Sequence, residues 1–364
     1  MSRLIELHEV GRQSPWLDNL KRNWITGGEL ARWVERGCRG ITSNPTIFQK
    51  AMTSGDAYDR DLAELTAGGA GTEESYWHLV TSDISAALAV LRPVHDASAG
   101  GDGYVSVEVA PELAHDAAAT IEAARELHGR IDAPNLYVKV PATAAGVDAV
   151  RALTAEGHSI NVTLIFSLPR YEEVIEAYLS GLESRSGDLS DVSGVASFFV
   201  SRVDTEVDRR LEAAGTPAAL VLRGRAAVAQ AKLAYEIFRR RFSGPRWEAL
   251  AARGARLQRP LWASTSTKNP AYPDTLYVDN LIGPDTVNTL PEATLEAFED
   301  HGSVTRTIDA DLDEAAAAVD GLADVGVDLA EVAEVLEAEG VAAFAKSFDE
   351  LLETLAGRAT ELTA

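Results

Sequence analysis

Short apolar runs alternate along the chain with longer stretches in which apolar residues return every three or four positions. Eight runs read as strands: 15–20 (PWLDNL), 39–45 (RGITSNP), 104–111 (YVSVEVAP), 135–141 (NLYVKVP), 160–167 (INVTLIFS), 195–203 (VASFFVSRV), 260–266 (PLWASTS) and 276–282 (LYVDNLI). The stretches between them read as helices. GGELARWVERG places Leu30, Trp33 and Val34 on one face and stops at Gly37. SLPRYEEVIEAYLSGL opens on Ser167 as N-cap and carries Tyr171, Val174, Ile175, Tyr178, Leu179 and Leu182 at helical spacing. Strand–helix alternation predicts a parallel sheet covered by helices, in the α/β class. Eight strands close it into a (β/α)8 TIM barrel. The connections 51–103 and 204–259 are long enough for additional helices, and RSGDLSDVSG (185–194) reads as a polar loop. Only NPAYPDT separates the seventh and eighth runs, which predicts an abbreviated last unit. From 286 onward the chain is rich in Ala, Glu and Leu and reads as helix. The expected organisation is one domain over 1–364, with the barrel at about 15–300 and C-terminal helices (about 301–364) packed on it.

Hydrophobic residues at 46% can fill such a core. Charge narrows the partners: 33 Lys and Arg against 56 Asp and Glu leave −23, which repels nucleic acid and anionic membranes. An anionic substrate would then need a local cluster of basic side chains. No apolar stretch approaches the ~18 residues of a membrane span, and MSRLIELHEVGRQSPW has no apolar signal core, so a cytoplasmic location is expected. The lone Cys38 excludes an intrachain disulfide and reads as a small hydrophobe at a helix end. The seven histidines are scattered, and neither GxGxxG after a strand nor GxxxxGK[ST] occurs. No metal and no nucleotide cofactor is expected.

Polar residues inside the apolar strand runs are the informative feature, because a barrel strand is buried on both faces. Lys139 lies between Val138 and Val140. Burial penalises the ammonium form of a lysine, and the neutral amine is the form that makes Schiff bases. The competing reading is a lysine held by a barrel carboxylate. Glu108 on the third run and Asp18 on the first are the carboxylates that could face it, as proton carriers or as counter-ions. Small polar groups recur at other strand ends: Thr42, Ser43 and Asn44, Asn161 and Thr163, Ser197, Ser264 and Ser266. They suit a polyhydroxylated substrate, although each alone also suits a turn or cap. Arg202 after the sixth run and Lys268 after the seventh stand where this fold commonly binds phosphate. A salt bridge to Asp204 or Glu206 is the alternative for Arg202.

Together the segments GITSNPTIFQKA, VSVEVAPELAHD, NLYVKVPAT, INVTLIFS, ASFFVSR and ASTSTKNP resemble the transaldolase family in order and spacing, over about residues 16–290. SPWLDNL and SNPTIF resemble its longer bacterial subfamily. The resemblance implies a class I aldolase-type barrel without metal or other cofactor. It also implies the reaction of sedoheptulose 7-phosphate with glyceraldehyde 3-phosphate to give erythrose 4-phosphate and fructose 6-phosphate. By position, Lys139 matches the Schiff-base lysine and Asp18 the carboxylate that handles the cleaved hydroxyl's proton. Glu108 matches the carboxylate acting through a catalytic water that Thr163 helps hold. Asn44, Asn161 and Ser197 match positions that bind the dihydroxyacetone unit, and Phe199 and Ser264 are counted with them as substrate-binding. Arg202 matches a phosphate-binding arginine. Where many members carry a second arginine in an ASFRN-like segment, this chain has the longer ASTSTKN, and Lys268 is assigned that role. A related group of fructose-6-phosphate aldolases tends to have Gln at position 108 and Tyr at 199; Glu and Phe here side with the transaldolases. A catalytically idle barrel used for binding would not need Lys139, Asp18 and Glu108 together.

Overall fold

The computed structural model describes residues 2–363. Eight parallel strands close into a barrel in sequence order: β1 (Gln13–Leu17), β2 (Gly40–Ile41), β3 (Tyr104–Glu108), β4 (Leu136–Pro141), β5 (Ile160–Ile165), β6 (Gly194–Phe199), β7 (Gln258–Ala263) and β8 (Thr286–Leu290). Pairing of β1 with β8 from Gln13↔Thr286 to Leu17↔Leu290 completes the ring. Apart from partly exposed Arg259, every strand residue is buried. This is the pattern expected when helices cover a barrel whose interior is filled by side chains.

Seven of the eight strands fall within or against the apolar runs. The last does not. LYVDNLI forms the short helix Leu276–Asp279 and its exit, and the eighth strand is TVNTL, inside the stretch read as helical. LYVDNLI is apolar because Tyr277, Val278, Leu281 and Ile282 are core residues, not because it is sheet. TVNTL escapes a hydrophobicity reading because three of its five residues are polar. Most of its polar groups find partners inside the barrel: Thr286 accepts from Gln13 Nε2 at 2.9 Å and Asn288 Oδ1 from Thr265 at 2.9 Å, while Asn288 Nδ2 is buried without a partner.

The N-terminal face of the barrel is plugged. Trp16, Tyr104 and Tyr137 stack there, with ring centroids 4.1–6.5 Å apart. Gly40 is required beside them, because a Cβ would collide with the Trp16 indole. Asp102 accepts hydrogen bonds from Ser14, Trp16, Arg39 and Arg259 at 2.7–3.1 Å. The opposite face is left for chemistry. The 35-residue helix Leu329–Thr363 crosses it, packed along the helices Pro45–Thr53 and Asp59–Ala67. Among the described residues no helix is long and apolar enough to cross a membrane.

Candidate active site

A cavity of about 590 Å³ opens at the C-terminal ends of the strands. Lys139 reaches it from β4, which pairs with β3 so that Glu108 stands opposite Lys139. Their charged ends lie 3.1 Å apart, each side chain about 5% exposed. Lys139 Nζ also donates to the Ser43 carbonyl at 3.0 Å, and the Phe344 ring lies 5.9 Å from it. Glu108 is buried beside the cavity rather than on its wall. Its Oε2 has no well-directed hydrogen bond despite the ion pair. Burial raises the Glu108 pKa, with neighbouring Lys139 pulling it down and Asp18 adding to the rise.

Asp18 follows β1, where its N–H donates to Leu290 O at 2.9 Å, and its carboxylate accepts from Thr42 Oγ1 at 2.7 Å. It lines the cavity. Burial raises its pKa, against the Thr42 hydrogen bond and the charges of Lys139, Lys268 and Arg202. After β2, Asn44 caps the helix Pro45–Thr53, its Oδ1 accepting from Ile47 N at 2.9 Å. The cap engages the amide oxygen and leaves the NH₂ of this wall residue for a ligand.

The end of β5 is irregular. Its register with β6 shifts between Val162 and Ile165, and Leu164 has a left-handed φ of 60°. A bulge of this kind re-aims side chains, and left-handed backbone in a leucine is strained. Thr163 lines the cavity here with a buried hydroxyl that has no hydrogen-bond partner. Asn161 stands away from the wall. It accepts from Ser197 Oγ at 2.7 Å and donates to Ser106 at 3.0 Å, so it holds Ser197, which does line the cavity.

Phe199 and Ser264 complete this side. Arg202 belongs to the first turn of the helix Ser201–Ala214 rather than to the sixth strand, its guanidinium 5.2 Å from the Phe199 ring centre. The salt-bridge alternative fails. Asp204 is engaged by Ala227 N and Tyr277, and Glu206 by Arg209 and Arg210. Lys268 donates to Ser266. Burial lowers the pKa of both cations, and Arg202 lowers that of Lys268 further. Among the described residues neither has a carboxylate within 4.0 Å.

The sequence profile of the transaldolase/fructose-6-phosphate aldolase family matches residues 15–355. The chain belongs to that family. Similar proteins include a transaldolase of Parafrankia sp. (strain EAN1pec), 53% identical over 345 residues, covering 93% of this chain and 94% of the relative. A transaldolase of Frankia alni is 51% identical, covering 97% and 96%, and one of Thermobifida fusca is 50% identical, covering 98% of each. The family match extends into the terminal helix, which supplies Phe344 to the cavity. Sequence reasoning missed Phe344, Lys50 and Thr289, all on the cavity wall. Phe344 carries no distinguishing signal in a helix rich in apolar residues, and Thr289 sits in the misread eighth strand. Lys50 had one: it lies within the GITSNPTIFQKA segment of the resemblance.

Proposed function

We propose that the chain is a transaldolase that moves a dihydroxyacetone unit from sedoheptulose 7-phosphate to glyceraldehyde 3-phosphate in the cytoplasm, with no metal or other cofactor. The barrel and its terminal helices act in this reading as one catalytic domain. The observation that carries it is the buried Lys139–Glu108 pair at 3.1 Å, with Lys139 lining a cavity whose wall also carries Arg202 and Lys268, neither with a carboxylate partner among the described residues.

Lys139 first gives a proton to Glu108, whose burial favours the protonated acid. The free amine attacks the ketose C2 carbonyl. Glu108 returns the proton, through a water held with Thr163, as the carbinolamine loses water and the imine forms. Asp18 takes the proton of the C4 hydroxyl. The C3–C4 bond breaks, its electron pair moves toward the imine to give an enamine, and erythrose 4-phosphate leaves. The enamine carbon then attacks the aldehyde of glyceraldehyde 3-phosphate, and Asp18 returns its proton to the new hydroxyl. Hydrolysis through Glu108 frees fructose 6-phosphate and Lys139. Asn44 and Ser197 hold the three-carbon unit, with Asn161 orienting Ser197, while Phe199 and Ser264 wall it. Arg202 and Lys268 hold the phosphate.

Borohydride added with fructose 6-phosphate should reduce the imine and label Lys139, located by peptide mapping. Lys139→Arg, which keeps the charge, should neither label nor turn over. Label on another lysine would end this reading. Fructose 6-phosphate cleavage that gains nothing from an added aldehyde phosphate would point to an aldolase.

A further inference from the structure

We propose that Lys50 is a third cation of the phosphate site, closing on the outer oxygens of a bound phosphate monoester opposite Arg202 and Lys268. The inference rests on the reading of this cavity as a sugar-phosphate site and assigns it one more binding residue. Lys50 lies in the last turn of the helix Pro45–Thr53 and lines the same cavity. It is near enough to Lys268 for its charge to oppose protonation there.

Charge balance is the first reason. A phosphate monoester carries about −1.5 to −2 near neutral pH. Arg202 and Lys268 bring two positive charges, and Asp18, whose side chain feels both, takes one away whenever it is the carboxylate that its role as proton acceptor requires. The Lys139–Glu108 pair adds nothing net. Two cations therefore undercompensate a dianion held beside Asp18, and Lys50 supplies the missing charge.

Availability is the second reason. In a chain of net charge −23, an exposed lysine readily finds a carboxylate. Among the described residues Lys50 has none within 4.0 Å. Lys21, on the same wall, differs: it reaches Glu292 at 4.0 Å and lies over the Trp24 ring at 4.4 Å. Glu350, facing this helix from the terminal helix, is engaged by Gln49 Nε2 at 2.7 Å and approached by Lys346 at 3.8 Å. Thr46 and Ser347 share a further hydrogen bond of 2.8 Å. The clasp ties the helix that carries Lys50 to the terminal helix and engages Glu350 with other partners.

The test is calorimetric titration of the full-length protein with inorganic phosphate at constant ionic strength, for wild type, Lys50→Ala, Lys50→Arg and Lys346→Ala. Lys346 removes an equal charge from the terminal helix outside the cavity. Losing one charge-assisted contact at a solvent-facing rim should weaken phosphate about three- to tenfold in Lys50→Ala. Lys50→Arg and Lys346→Ala should bind as wild type does. KM for fructose 6-phosphate should rise by the same factor in Lys50→Ala, with the loss in KM rather than kcat. Unchanged phosphate affinity in Lys50→Ala, or an equal loss in Lys346→Ala, would overturn the assignment, the latter by reducing it to a general field effect. Because the titration needs no turnover, it decides Lys50 even if borohydride trapping refutes the transfer mechanism.

Discussion

Asp18 and Glu108 face the same lysine from different settings, and this separates their work. Asp18 lines the cavity and can meet a substrate hydroxyl directly. Glu108 is set back, 3.1 Å from the amine. Asp18→Asn should still form an imine trappable by borohydride but release no aldehyde. Glu108→Gln should lose trapping along with turnover, each by about 10²–10⁴-fold. Burial of Asp18 also has a stability consequence. Its pKa is raised in the folded protein, so the folded state holds a proton more tightly than the unfolded chain does. Stability then falls as pH rises through the interval between the two values. Asp18→Asn should accordingly unfold at higher urea than wild type at pH 7, with the gain vanishing below the ordinary aspartate pKa of about 4. A less stable Asn variant at pH 7 would mean that the Thr42 hydrogen bond outweighs desolvation.

Two helices contribute to the cavity in ways that can be separated by mutation. Asn44 both caps the helix Pro45–Thr53 and faces the cavity. Asn44→Asp keeps the capping oxygen and removes the amide donors, whereas Asn44→Ala removes both. The Ala variant should lose about 1 kcal/mol of stability, read by urea denaturation. The Asp variant should keep that stability and lose donor-substrate affinity. The terminal helix approaches closely at Gly340, where a Cβ would stand 2.9 Å from Leu164 Cδ2 and 3.6 Å from Arg202. One turn on, Phe344 covers Lys139. In the proposed reaction this ring would shield the enamine from water until an acceptor arrives. In Phe344→Ala the enamine should be protonated at carbon by water and the resulting imine hydrolysed. Fructose 6-phosphate alone would then release glyceraldehyde 3-phosphate and dihydroxyacetone faster than with wild type. An unchanged rate of acceptor-free release would remove this role from Phe344.

The two barrel faces divide stability from chemistry. The catalytic face holds raised carboxyls, strained Leu164 and unpaired cations, all unfavourable for folding. The N-terminal face holds the compensating network around Asp102. Burial would raise the Asp102 pKa, but Arg259, Ser14 and Arg39 together outweigh it and hold it below the usual value. The contribution is therefore complete at neutral pH and is lost as pH falls through that depressed pKa. Asp102→Asn should cost about 3 kcal/mol, the low end for a broken buried pair because both arginines reach water. Its urea midpoint should converge on that of wild type only in strong acid. Convergence already at pH 5–6 would show that Asp102 is not ionised in the folded protein as its partners imply.

Periodicity along the chain was enough for the barrel class, seven of the eight strands and the polar residues that stand out within them, because burial on both faces of a strand leaves a local record. Lys139, Glu108 and Asp18 were legible for that reason: a charged side chain in an apolar run is conspicuous. The eighth strand was not legible, since TVNTL buries polar residues whose partners, Gln13 for Thr286 and Thr265 for Asn288 Oδ1, come from other strands and loops. Nor could the chain alone show that Asn161 supports Ser197 from outside the wall, or that Arg202 escapes Asp204 and Glu206. Those outcomes depend on which partners reach a side chain first in three dimensions. The same holds for Phe344. It sits on a helix of ordinary composition and reaches the cavity because the terminal helix is clasped across the open end of the barrel.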